Sequence, residues 1–364
     1  MSKAICKTGM AAAAIGLCAA STTTLAAESL TIVSWGASYE VSQRNAYHDP
    51  YTEMTGTEIV QVSKSSNGPA GIRAQVESGN VTWDLVDAIP GAAMRLCDQG
   101  LIEPIDYDRI LKDAPNGDSP REDFILELRE CFVPEVLFGT VWATNRESWS
   151  GEQPDSIQDV WNTERYPGRR AMQKIPAGNL EWALMADGVP ADQVYEVLAD
   201  DAGINRAFEK LGELKDVALW WEEAAQPPQL LADGEVAFAS SYNGRFFNAQ
   251  VVENQPFEII WDGQLLEPTG WVVPKGQLTD EVERYLRFAT DTQRLADQAR
   301  YISYGPVRRS SASQVGKHAE TGVDMKPHMP TNPAHMETAI VKDAVFWADK
   351  GDALSERFNA WLAL

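Results

Sequence analysis

Positive charge is scarce in this chain: 31 Lys and Arg stand against 53 Asp and Glu, giving a net charge of -22 and an isoelectric point near 4.6. Nucleic acid and anionic membrane surfaces would repel such a body. A cationic partner would be attracted, although solubility alone accounts for the excess. Histidine is scarce too, with four residues, His48, His318, His328 and His335. The last two share a Pro-rich stretch with Met325, Met329 and Met336, soft donors whose spacing fits no tight metal site. None of the four cysteines lies in a Cys-x-x-Cys pair or near a histidine, which argues against redox catalysis and zinc. No Gly-x-Ser-x-Gly, P-loop or His-Glu-x-x-His is present. Carboxylates are plentiful, so a secreted paired-carboxylate hydrolase stays as a remote alternative; the reading is otherwise not that of an enzyme. No cofactor and no metal is implied.

Long apolar runs are confined to the start. The first 27 residues carry Lys3 and Lys7, then a short apolar core from Met10 to Ala20, then small residues ending at Ala26 and Ala27. This is the pattern of a signal peptide cleaved before Glu28, and its apolar part is too short to anchor in a bilayer. Cys18 follows Leu17, where a lipid-attachment site wants a small residue. The mature chain is therefore expected in the periplasm, with Cys6 and Cys18 gone and Cys97 and Cys131 left. An even pair in an oxidising compartment favours a disulfide over two buried thiols.

At 364 residues, 44% hydrophobic and 23% charged, the chain suits two lobes of ordinary size. Strand patterns at Leu30 to Trp35, Thr57 to Val62 and Trp83 to Ala88 alternate with helical patterns at Gln43 to Thr55, Ala70 to Ser78 and from Pro90. Phe138 to Thr144 reads as a crossing into a second series. That series has strands at Arg169 to Ile175, Leu219 to Trp221, Val236 to Ser240 and Phe257 to Trp261. Gly270 to Pro274 reads as the return crossing, and Asp352 to Leu364 as a terminal amphipathic helix. Alternation of this size predicts an α/β fold with a parallel-rich sheet in each lobe. Ligand sites in such sheets lie beyond the carboxyl ends of strands. That places Trp35 to Tyr39, Asp87 to Gly91 and Tyr242 to Gly244 around a cleft between the lobes.

The order of SWGASY, TWDLVDA, QGLIEPID, SIQDVWNTERYPGR, LADGEVAFASSYNG and GWVVPKG is similar to that of the spermidine/putrescine-binding proteins of ABC transporters, over nearly the whole mature chain. The resemblance implies a two-lobed periplasmic-binding-protein fold of type II-like form with an interlobe cleft. It places lobe one in residues 28–140 plus 268–305 and lobe two in residues 141–267 plus 306–364. It also implies a polyamine held between aromatic rings and carboxylates, delivery to an inner-membrane ABC permease, and a monomer. Trp35 and Tyr242 match the aromatic positions as opposed walls, with Tyr39 nearby. Thr269 stands near a family aspartate; Glu267 lies close to it, and Trp271 further along. The family's acidic residues in lobe two would fall in Ile175 to Asn179, which has no carboxylate. Asp87 and Glu267 are the acids expected to neutralise the ligand. The ferric-binding relatives of this fold use adjacent tyrosines, and this chain has no Tyr-Tyr pair.

Few carboxylates and many aromatics leave other solutes open. There are 12 Trp, and each ring attracts a cation by roughly 0.5–2 kcal/mol. A monocationic or quaternary amine, or an amino-acid derivative, is the alternative ligand. For the last of these, Arg245 would meet the carboxylate.

Overall fold

The computed structural model describes residue 1, residues 29–63 and residues 67–364. The expected leader, beyond Met1, lies outside the described residues. The first lobe opens on β1 (Ser29–Ser34), whose Leu30, Ile32 and Val33 are buried. β1 runs parallel to β2 (Glu58–Ser63) on one side and to β3 (Leu85–Ala88) on the other. Helices follow the strands as the alternation predicts. The first starts earlier than expected, at Ala37, and continues through a π-helical stretch, Arg44–His48, to Thr55. Gly56 ends it at φ 81°, a left-handed conformation that a side chain resists. The helix Pro90–Asp98 begins with proline in its first turn, where the missing N–H costs nothing.

Two long strands carry the chain between lobes. β4 (Val133–Asn145) and β8 (Phe257–Val272) pair antiparallel along nearly their whole length. Phe257 to Trp261 and Gly270 to Pro274, read from sequence as separate strands, are thus the two ends of one strand. Pro268 does not break it, because the second edge of β8 is unpartnered there, between its pairings with β10 (Ile340–Val341) and with β3. Gly270 lets the backbones close: a Cβ there would sit 2.1 Å from the Val133 carbonyl oxygen. Beyond β4 the second lobe adds β7 (Phe238–Tyr242), β5 (Arg170–Gln173) and β6 (Ala218–Trp221), with β5 parallel to both neighbours. The full order is β2-β1-β3-β8-β4-β7-β5-β6.

Each lobe has its own core. Tyr47, Trp271, Tyr285 and Leu286 lie in the first, and Trp142, Trp182, Leu211 and Phe238 in the second. The terminal helix Ala344–Ala363 starts earlier than expected, because Asp343 caps the Val345 and Phe346 amides. Its Leu354 and Phe358 pack into the second core. The segment just after residue 305 departs from expectation. β9 (Gly305–Pro306) pairs with Val136 and Leu137, and the buried Arg308 ion-pairs with Asp123 at 3.2 Å. Ser311 also bonds to Thr292. Residues 306–312 therefore stay on the first lobe, and the chain crosses for the third time only after them. Met325 and Met329 sit in that crossing against Phe247 of the second lobe and Ala299 of the first.

Cys97 and Cys131 form a disulfide, joining the helix Pro90–Asp98 to the approach of β4. It closes a loop with a sequence separation of 34 residues. Cys97→Ser with Cys131→Ser should lower stability by about 3–4 kcal/mol if denatured-chain entropy dominates. Urea unfolding of the double variant measures this; an unchanged midpoint would show that the closed loop gives no stability.

Candidate functional site

The site follows from the side-chain alternation of the crossing ribbon. Phe138 on β4 faces Glu267 on β8, and Thr140 faces both Leu265 and Tyr242. Directly opposed residues share a face, so Phe138, Glu267, Thr140 and Tyr242 look the same way. Tyr242 meets Phe138 edge-on at 5.5 Å between centroids. Phe138 meets Tyr304 at 5.8 Å, and Tyr304 meets Tyr39 at 6.3 Å. This chain of rings runs from the second lobe to the first. Trp35, at the end of β1, is 38% exposed. Its indole Nε1 donates to Thr269 Oγ1 at 2.8 Å, and Thr269 donates in turn to the Ala88 carbonyl at 3.1 Å.

A cavity of about 600 Å³ lies between the lobes, and the rings just described are not among the residues that line it. Ser38 lines it from the first lobe, and Gln229, Asp233, Gly244, Arg245 and Glu253 line it from the second. The exposed Arg245 side chain makes no hydrogen bond or ion pair with another described residue. Its positive charge opposes the upward push that burial gives to the Tyr242 and Tyr304 hydroxyls. Glu267 and Lys342 also act on Tyr242 and pair with each other at 3.0 Å, both side chains largely buried. The site thus presents two cations and one anion around Tyr242.

The carboxylates under the first-lobe wall are withdrawn from it. Asp87 is fully buried; Gln43 Nε2 donates to both of its oxygens at 3.1 Å, and the Trp35 backbone N–H donates to it as well. Tyr39, 6% exposed, gives its hydroxyl to the buried Glu135 at 2.7 Å. Burial raises the Asp87 carboxyl, and the neighbouring Glu135 raises it further. Burial also pushes Glu135 up to about 8, against hydrogen bonds from Tyr39, Gln43 and Gln298.

Of the residues singled out from sequence, the structure brings Trp35, Thr269, Glu267 and Tyr242 to one surface, with Tyr39 behind Tyr304. Trp271 goes elsewhere. It lies on the part of β8 that pairs with β3, fully buried between Tyr47 and Tyr285 at 5.7 and 5.9 Å. Asp87 lies beneath Trp35, where it holds backbone. Phe138 and Tyr304 were not singled out. Phe138 reads as one more apolar residue of a strand, and Tyr304 falls in an irregular stretch with no pattern to mark it. Glu135 carries no local signal either.

A family model described as bacterial extracellular solute-binding protein matches residues 46–331. A gamma-aminobutyric acid-binding protein of Pseudomonas aeruginosa is 36% identical over 349 residues, covering 96% of this chain and 95% of that one. The crystal structure of an ABC transporter substrate-binding protein from Bradyrhizobium japonicum superposes with TM-score 0.80 and 30% identity, over 92% of this chain and 99% of that one. The Atu4243–GABA receptor structure superposes with TM-score 0.76 and 29% identity, over 92% and 98%. Among the described residues no helix is long and apolar enough to cross a membrane.

The Trp35–Thr269–Ala88 relay gives the first prediction for the site. Thr269→Val keeps shape but removes the acceptor for the indole and the donor for the carbonyl. It should cost about 1–2 kcal/mol in urea unfolding. A cost near zero would show that the relay does not hold the Trp35 ring.

Proposed function

We infer, for a chain that belongs to the bacterial extracellular solute-binding proteins, that its ligand is a small amino acid with separated amino and carboxylate ends, of the γ-aminobutyrate kind. The observation that carries this reading is Arg245, a guanidinium in the interlobe cavity with no described ion-pair partner. A planar guanidinium matches a carboxylate in two parallel hydrogen bonds. Against a polyamine it would be repulsive. A polyamine also needs a carboxylate for each ammonium taken from water. Asp87 and Glu135 are fully buried behind the wall and Glu267 is shared with Lys342, which leaves Asp233 and Glu253, lining the cavity beside Arg245. The solute-binding-protein placement expected from sequence stands; the spermidine/putrescine-binding family is not shown, and of the two ligands we favour the amino-acid derivative.

The ligand's ammonium end faces the rings. Trp35 and Tyr242 offer π-faces to a cation, and Asp233 and Glu253, which line the cavity, offer carboxylates. The 36% identity to a γ-aminobutyrate-binding protein, over nearly both chains, supports the same choice. The cavity, about 600 Å³, is larger than a four-carbon amino acid fills. That favours, as a second reading, a bulkier amino-acid derivative with the same carboxylate on Arg245.

Capture follows from the topology. β4, β8 and the segment after Ala312 join the lobes, and we take them as the hinge. A ligand bridging Arg245 of one lobe and Trp35 of the other binds the closed arrangement better than the open one, so it shifts the population toward closure. The closed form is then what the permease of an ABC importer receives.

Calorimetry and thermal shift with γ-aminobutyrate, putrescine and spermidine test the reading. A ligand at 100 times its Kd should add about 2.7 kcal/mol of stability. γ-Aminobutyrate should give this response and the two polyamines none; the reverse pattern would overturn the assignment. Arg245→Ala should weaken γ-aminobutyrate binding roughly 30-fold or more. An unchanged Kd would show that the carboxylate lies elsewhere.

A further inference from the structure

One edge of β4 changes partner where the lobes meet. On that edge Leu137 faces Gly305 of β9, from the first lobe, and Thr140 faces Tyr242 of β7, from the second. Phe138 and Gly139 lie opposite neither strand there. The Asn243 side chain fills the gap. Its Oδ1 accepts the Gly139 N–H at 3.0 Å. Its Nδ2 donates to the Ser303 carbonyl and, at 3.3 Å, to the Ser303 hydroxyl. A side-chain amide carries the same kinds of donor and acceptor as a peptide group. Asn243 therefore continues the ladder across the seam between β7 of one lobe and the approach to β9 of the other.

The seam is closed to water. Gly139, Asn243 and Ser303 are all buried, the last two completely. Gly244, the next residue, keeps the lobes in touch: a Cβ there would come within 2.9 Å of the Tyr304 ring. Breaking the Asn243 bonds would leave a buried N–H and a buried carbonyl without partners, which is more costly than the loss of an exposed bond. When one rigid body turns against another, the groups nearest the axis move least. The swing that keeps these bonds is the one whose axis passes beside Asn243.

We propose that Asn243 is the pivot of lobe closure, a positioning residue whose amide ties the second lobe to Ser303 of the first and to Gly139 of β4 in the open and the closed form alike. The inference rests on the capture by closure proposed above. Tyr242 precedes Asn243, and Arg245 lies two residues on, within the short helix Asn243–Phe247. A fixed pivot brings both to the same place at every closure. Without it β4 and β8 still join the lobes, but the swing has more than one axis. Fewer of the closed arrangements then fit the ligand, and the apparent affinity falls with that fraction.

Spin labels at Glu77→Cys on the first lobe and Glu209→Cys on the second, both exposed positions, read the interlobe distance by pulsed electron resonance in the ligand-free protein. Asn243→Ala should broaden the distance distribution and weaken γ-aminobutyrate binding about tenfold. Should that variant not fold, Asn243→Asp keeps the acceptor for Gly139 and loses the donor to Ser303, and should broaden the distribution likewise. In the unaltered protein the Gly139 amide proton should exchange slowly with solvent both with and without ligand. A variant that is less stable in urea but has an unchanged distance distribution would make the amide a structural bond only and overturn the proposal. Fast Gly139 exchange in the ligand-free protein would overturn it too, because the bond would then be broken in the open lobes. Failure of γ-aminobutyrate to bind the unaltered protein would instead remove the ligand assignment and leave the ligand-free distances and exchange to decide on the pivot.

Discussion

The antiparallel pairing of β4 with β8 is the constraint on which the rest depends. These two strands belong to both lobes at once, so the rigid floor of the cleft and the connection between the lobes are one object. Their first-lobe ends pair with β3 and carry Trp271 into a packed core; their second-lobe ends pair with β7 and β10. The middle, around Phe138, Thr140, Glu267 and Thr269, carries the residues that meet Tyr242, Tyr304 and Trp35. Two irregularities in the ladder, at Glu135 and near Val141, flank that middle. Bulges bend and twist a ribbon, which suits a strand that must turn from one sheet direction to another.

Charge in the molecule is arranged against its average. The whole chain carries -22, yet the groups around Tyr242 are Arg245, Lys342 and Glu267. A strongly acidic surface raises the local concentration of cations and lowers that of anions. On the proposed reading, the Arg245 side chain, which lines the cavity together with Asp233 and Glu253, is the group that a ligand carboxylate meets. The acids nearest the first-lobe wall, Asp87 and Glu135, are sealed under it, and burial favours their protonated forms.

Much of this was legible in the sequence, and what was not has physical reasons. The β1, β2 and β3 segments read correctly because each is a short apolar run closed by a helix start. Trp35 and Tyr242 could be placed because each ends a strand beside a Gly-containing turn. β8 could not be read as one strand: Asp262-Gly263 and Pro268 are turn residues in most settings, and only the unpartnered edge beside Pro268 makes it tolerable. Trp271 was misplaced because strand position tells nothing of which lobe's core a ring enters. Glu135 was invisible because a bulge depends on the partner strand's register, which no local pattern encodes. The stay of residues 306–312 on the first lobe depends on Arg308 finding Asp123, a pairing 185 residues apart.

The position of Lys342 decides how an amino acid and a polyamine differ for this cleft. Its ammonium already neutralises Glu267, and it comes from the segment that leads into the terminal helix packed on the second lobe. A ligand ammonium approaching Glu267 must therefore share the carboxylate with a resident cation or displace it. A diamine would bring two positive charges to a cavity lined by Arg245 and by the carboxylates of Asp233 and Glu253, with Glu267 already paired to Lys342. An amino acid adds one charge of each sign, so its carboxylate offsets Arg245 while its ammonium relies on ring faces that need no counter-charge.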